Sequence, residues 1–286
     1  LQTAADFRHK HCSVKTLCQF LKAMVNSTPC RSLVFVILIC RLAYFSVEAA
    51  ATSPVSTNDP MAGMKLAREL VELQPAEETF MSGLFTIKRR GQETVPMPVR
   101  IRVLPREDKW FAFYRLPAAP ANRPNTYCIT HFRNGTNLYS AGISGSDNAA
   151  ALMEAVRSGT VSAASPLADT DFTLGDLGME FLHWPEQRLL KTEMKRSRLC
   201  RVLESRAGTT GTPLGYTRVV SWIDNETGGI IQAEAFDAAG KTVKEFELNS
   251  FKKVAGRWQL EEMEIRNITA KSRTRLTFDL QNKPAP

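Results

Sequence analysis

Apolar and polar residues alternate in short runs over most of the chain beyond residue 83. Gly83, Phe85 and Ile87 alternate with Leu84, Thr86 and Lys88, and Val99, Ile101 and Val103 alternate with Arg100 and Arg102. A period of two predicts half-buried strands. Trp110–Arg115 is apolar on both parities, which predicts a strand covered on both faces. Tyr127–Phe132 reads as another strand, with Leu138–Ser140 beside it. From Gln187 onward the same pattern recurs at Arg188–Met194, Leu199–Ser205, Tyr216–Ile223, Ile230–Phe236, Val243–Phe251, Trp258–Arg266 and Ser272–Leu280. Residues 237–240 and 254–257 are short enough for hairpin turns, with Gly supplying positive φ. Leu116–Asn125 is Pro-rich and reads as a loop. The prediction is a mainly β domain: about eleven antiparallel strands in a meander forming an incomplete barrel, with a few helices covering its concave face.

The period changes to that of a helix in three places. Asp59 can cap and Pro60 suits the first helical turn, so a helix starts there and ends before Pro75. Its apolar stripe is read as Met61, Met64, Ala67, Leu70 and Val71. A second helix is predicted over 147–156, with Gly159 just past its end. Thr173 with Asp176 three residues on resembles a capping arrangement, followed by Leu177 and Phe181 on one face and closed by Pro185.

The first fifty residues follow neither rule. Leu33–Cys40 is an unbroken apolar run behind Arg31, and Ala49, Ala50 and Ala51 follow. That order is expected of a secretory signal cleaved near Ala51. A retained anchor is the rival reading, but the run is shorter than the roughly 18 residues a spanning helix needs, and Arg41 would cost about 2.5–3.5 kcal/mol near its centre. Leu38 and Ile39 are too large to precede a lipidated Cys40. The expected organisation is an upstream segment 1–23 ahead of a start at Met24, a signal over 24–51, a leader over 52–58, one domain over 59–281 and a tail over 282–286.

Charge changes this picture little. Of 37 Lys and Arg, six lie in residues 1–51, and of 29 Asp and Glu, two do, leaving an excess of four on the exported part. No basic stripe points to nucleic acid. Cys128 and Cys200 are the cysteines left after export. They form a disulfide in an oxidising compartment if their strands bring them within about 7 Å, or they are two buried thiols acting as small apolar residues. Neither has a second Cys or His at zinc-ligand spacing, and no cofactor is called for.

Catalytic patterns are scarce. The exported part has two histidines, His131 and His183, and no G-x-S-x-G elbow, H-E-x-x-H, P-loop or dinucleotide fingerprint. A secreted hydrolase would have to use one of those histidines. Asp171, Asp176, Glu180, Asp224 and Asp237 sit where turns and caps need them. The expectation is a non-enzyme.

The strands also carry more apolar surface than so few helices can cover. Phe85, Val99, Ile101 and Val103 come from the first strands, Phe111 and Phe113 from the third. Phe246, Leu248, Met263, Ile265, Leu276 and Phe278 come from the last. Together they are candidates for the lining of an apolar cavity able to take acyl chains, which gain about 0.8 kcal/mol per buried methylene.

Several segments carry a family likeness: Thr170-Asp171-Phe172 with Asp176-Leu177 and Trp184, then Cys200–Glu204, Trp222–Asp224, Phe236-Asp237 with Gly240-Lys241, and Lys244. With the export segment and the strand meander, roughly Leu66 to Leu280 resembles the LolA/LolB-like lipoprotein-sorting superfamily, in its LolA-like branch of unassigned role. The resemblance implies a lidded half-barrel in the periplasm that carries an acylated lipoprotein or lipid, as a monomer, between an inner-membrane transporter and an outer-membrane acceptor. It also implies an Arg near the cavity, for which Arg100, Arg102 and Arg115 are candidates by position. The other reading is the same fold used as an envelope interaction or sensor module without lipid carriage.

Overall fold

The computed structural model describes residues 58–117, 119–120, 122–254 and 257–280. The expected signal, upstream segment and tail lie outside them, as does all of the leader except Asn58. Twelve strands form one antiparallel sheet: β1 Thr79–Arg89, β2 Val95–Pro105, β3 Lys109–Arg115, β4 Thr126–Phe132, β5 Leu138–Gly142, β6 Glu186–Lys195, β7 Arg198–Arg206, β8 Arg218–Asp224, β9 Ile230–Phe236, β10 Thr242–Val254, β11 Arg257–Asn267 and β12 Ser272–Phe278. Their order is β5-β4-β3-β2-β1-β12-β11-β10-β9-β8-β7-β6. The meander is therefore two runs joined where β1 pairs with β12, Phe85 opposite Leu276 and Ile87 opposite Thr274. The sheet does not close on itself, so the barrel is incomplete, as the sequence predicts. The expected count of about eleven strands becomes twelve.

Both edges are protected, as exposed edges must be to avoid pairing with other chains. At β5, Ala141 N–H donates to Gly159 O at 2.7 Å and Val161 N–H to Tyr139 O at 3.0 Å. At β6, Asp59 and Leu189 exchange backbone bonds of 3.0 and 2.9 Å.

Helix α1, Pro60–Val71, begins as expected: the Asp59 carboxylate accepts from Ala62 N–H at 3.0 Å, and Pro60 opens the first turn. Its buried stripe is Gly63, Leu66, Ala67 and Leu70, whereas Met61 and Met64 are 76% and 45% exposed. The expected stripe is thus rotated. Gly63 sets the face, because a Cβ there would lie 2.5 Å from the Arg188 backbone, so the helix can lie against β6 only through glycine.

Helix α2, Ala149–Val156, is capped by Asn148, whose Oδ1 accepts from Ala150 N–H at 2.8 Å. It packs Leu152 and Val156 on Leu104, Phe111, Phe113 and Cys128. Trp110 and Ala112 of the same strand face the main core. β3 is thus covered on both faces, which explains its continuous apolar run. A third cluster lies under α1, where Leu66 and Leu70 meet Trp184, Leu203, Tyr216 and Ile223.

β5 and β6 follow one another in the chain but stand at opposite edges of the sheet. Residues 143–185 make the crossing. They carry α2, the short α3 Leu174–Leu177 and a 3-10 turn, Glu180–His183. The capping box expected at Thr173 and Asp176 is formed, with both reciprocal bonds present.

The crossing starts at a close backbone approach. A Cβ on Gly142 would lie 1.7 Å from Ala155 O. Gly142→Ala should therefore cost at least about 2 kcal/mol in urea unfolding, while Gly145→Ala, with open space around it, should stay within about 0.5 kcal/mol of the parent. Equal effects at the two glycines would contradict this packing.

Candidate functional site

A cavity of about 140 Å³ lies under the crossing segment. Phe172, Leu177, Met179 and Phe181 line it from the crossing, and Leu70 from α1. Ile101, Tyr114, Val219, Ile230, Ala233, Ala235, Phe246, Leu248, Met263 and Ile265 line it from strands β2, β3, β8, β9, β10 and β11. The wall is apolar apart from Asp176, Lys244, Glu245 and the two tyrosine hydroxyls of Tyr114 and Tyr216.

Lys244, Asp176 and Tyr216 are tied together, while Glu245 pairs with Arg266. Lys244 Nζ lies 2.6 Å from Asp176 Oδ2, with the side chains 12% and 11% exposed. It also donates to Asp171 O at 3.2 Å. Tyr216 donates its hydroxyl to Asp176 Oδ1 at 2.8 Å, and Thr173 donates both N–H and O–H to Oδ2 at 2.7 Å. Burial first, and then the Asp176 charge, push the Tyr216 hydroxyl well above its ordinary range, so it stays a donor. Burial does the same to Tyr114.

One end of the crossing is held further by Asp171, whose carboxylate accepts from Ser272 and Thr274 of β12, the latter at 2.8 Å. The other end is held by Asn137, whose amide donates to Gly178 O at 2.8 Å, and by Tyr139, which donates to Glu180. Gln187 then binds the carbonyls of Phe181 and Trp184 at 2.9 and 3.0 Å. The segment is a lid with polar fastenings at both ends and apolar residues between.

Of the twelve residues proposed from sequence to line a cavity, Ile101, Phe246, Leu248, Met263 and Ile265 lie on its wall. Phe85, Val99, Val103, Leu276 and Phe278 pack in the main core, with the Phe85 ring 6.0 Å from that of Phe172. Phe111 and Phe113 pack against α2 in a separate cluster. Period two gives a residue's face but not whether a lid residue fills the space above it.

The three arginines do not line the cavity. Arg100 and Arg115 both pair with Asp147, the latter at 3.0 Å, and Arg102 pairs with Glu78 and donates to Asp147 O at 2.7 Å. They fasten the loop ahead of α2. Arg100 and Arg102 fall on the parity opposite to Ile101, so this position was readable from their spacing. The cation at the cavity is Lys244 instead. Its signal is its parity: Lys244 alternates in phase with Phe246 and Leu248.

Cys128 and Cys200 are free, buried thiols in different clusters, so the disulfide reading gives way to the buried-thiol one. Burial pushes Cys128 up to about 12, which keeps it protonated and inert. His131 stacks on Trp110 at 3.4 Å, and His183 stands near it at the end of the 3-10 turn. Among the described residues no cluster of three or more His, Cys, Asp or Glu could hold a metal ion. What this arrangement offers is binding: an apolar hollow, a fastened lid and one ion pair at its wall.

A family model described only as an uncharacterized protein matches residues 151–282. No curated protein matches the chain. Among solved structures, the chain is similar to a DUF1329 family protein from Desulfovibrio piger at 19% identity, covering 78% of this chain and 92% of that one, with a TM-score of 0.58. It is similar to a domain described as outer membrane lipoprotein-sorting from Vibrio parahaemolyticus at 17% identity, covering 79% and 96%, with a TM-score of 0.61. A LolA superfamily protein from Nitrosomonas europaea follows at 12% identity, covering 77% and 91%, with a TM-score of 0.51. What is shared at these identities is the fold.

Breaking one partner of a buried ion pair costs about 3–5 kcal/mol, whereas replacing both by apolar residues costs far less. Lys244→Met and Asp176→Leu should each destabilise by about that amount in urea unfolding, and the double variant by less than the sum of the two. Additive losses would mean that the pair does not hold the lid.

Proposed function

We propose that this LolA-superfamily-like chain works in the periplasm as an envelope interaction module whose hollow receives one apolar group from a protein partner. The periplasm is supported by the apolar run and A-x-A end ahead of the domain, and by likeness to a domain named for lipoprotein sorting. The observation that carries the reading is the size of the hollow. At about 140 Å³ it is near the ~150 Å³ of an engineered apolar cavity that binds benzene. One aliphatic or aromatic side chain fills such a space, and burying it contributes about 1.5–3 kcal/mol. The several acyl chains of a lipoprotein do not fit while Phe172, Met179 and Phe181 stay in place.

Carriage of an acylated lipoprotein or lipid between an inner-membrane transporter and an outer-membrane acceptor is the second reading. The apolar wall favours it, and so does Lys244. An ammonium has three donors. Two of those on Lys244 have acceptors among the described residues, leaving one for an ester or amide carbonyl. Loading would then require the lid to lift.

The test places a photo-crosslinking residue at Met179 in the exported chain. The module reading predicts a covalent adduct with a protein and no lipid held one-to-one by native mass spectrometry. A one-to-one lipid that disappears in Phe246→Asp or Ile101→Asp, with the fold retained, would instead establish carriage. Neither adduct nor lipid contradicts both readings.

A further inference from the structure

Beside the main hollow is a second chamber of about 10 Å³, lined by Leu70 and Val71 of α1, Trp110 of β3, His131 and Phe132 of β4, Asn137, and Gly178, Met179, Leu182 and His183 of the lid. It has room for about one water molecule. His131 is buried, with its ring stacked parallel to Trp110 at 3.4 Å. Asn137 is buried too. Its amide nitrogen is committed to Gly178 O and Tyr139, and its Oδ1 has no partner. The chamber therefore holds two imidazoles and one vacant acceptor. Met179 lines this chamber and the main cavity alike, and Phe181, two residues before His183, lines the main cavity.

We infer that this chamber is an acid-sensitive catch: proton uptake by the His131 and His183 pair frees residues 176–184 and opens the hollow. Asn137 Oδ1 is placed to accept from the His131 ring once that ring is protonated, and the direction of the effect follows from burial without a second acceptor. A second cation in so small a space meets the first at close range.

The surrounding charges agree with this. Glu180 is the carboxylate whose charge acts on His183, where it favours the protonated ring, and its own side chain is engaged by Tyr139 and lies 3.5 Å from Asn137. Besides the two histidines, no lining residue from α1, β3, β4 or the lid is charged. Burial first, and then the mutual effect of the pair, hold His131 well below the ordinary histidine range. Burial also lowers His183, against Glu180. The sign follows. An opened lid returns both rings to a pKa of about 6.5. Below that the open form binds more protons than the shut one, so acid favours opening and neutral pH favours closure.

The inference takes the hollow of the proposed function as the binding site, but its test reads the lid without any ligand, so either can fail alone. Hydrogen exchange of the full mature chain is followed at pH 7.5 and 5.5, corrected for intrinsic rates, in residues 176–184 and in β11–β12 as the internal reference. Two freely titrating histidines would raise the lid's opening constant by up to about 100-fold between those pH values, and one by about tenfold. Wild type should show a rise between those limits with β11–β12 unchanged. His183→Gln, or His183→Asn should the first not fold, should keep at most about a tenfold rise. A lid that exchanges in step with β11–β12 at both pH values overturns the inference, as does an unchanged rise in the His183 variant.

Discussion

The arrangement depends on one topological constraint. β5 and β6 are consecutive in the chain yet form the two edges of a twelve-stranded sheet. Residues 143–185 therefore have to pass across the sheet, and whatever they place there becomes the roof of the space below. A meander whose consecutive strands were all neighbours would have no such roof. Its inner face would need separate helices or a partner to exclude water. Here one connection supplies α2 for the outer cover of β3 and β4, then α3 and a 3-10 turn for the inner cover of β8 to β11.

A crossing segment of this kind carries its own backbone polar groups over an apolar floor, and these must find partners. The fastenings answer that need at particular atoms. Asp171 reaches β12, Asp176 gathers Lys244, Tyr216 and Thr173, Gly178 O takes the Asn137 amide, and Gln187 takes two carbonyls near Trp184. Between these points the side chains are Phe172, Leu177, Met179 and Phe181, which face the cavity. The hollow is thus bounded by side chains able to move as one segment, with charge kept at its rim and balanced there. Its later stretch, residues 171–184, can change position without dismantling the sheet, because its ties to the strands run through side chains, whereas Gly159 and Val161 stay bonded to the backbone of β5.

Much of this fold was readable from alternation. The strands from β6 onward, the capped start of α1, the Thr173–Asp176 capping box and the doubly covered β3 all follow from period and cap chemistry. The rotation of α1 was not readable, because the contact of Gly63 with the Arg188 backbone belongs to tertiary packing and leaves no trace in periodicity. The hollow was legible only in part. Ile101, Phe246 and Met263 share a face with Phe85 and Leu276, and nothing in the strand pattern says which of them Phe172 covers. The arginines are a different case. Arg100 and Arg102 alternate out of phase with Ile101, and Lys244 alternates in phase with Phe246, so parity agrees with the observed places of all three, although Glu245 of the opposite parity also reaches the wall.

The central claim is that the space under the crossing segment is a binding site and not a packing fault. Titration with toluene, followed in protein NMR spectra, tests it most directly, comparing the parent chain with Ala233→Phe, which fills the hollow from β9. The account predicts saturable one-to-one binding to the parent and its loss in Ala233→Phe, with the unfolding midpoint retained. Binding that is absent from the parent, or equally strong in the filled variant, would contradict it.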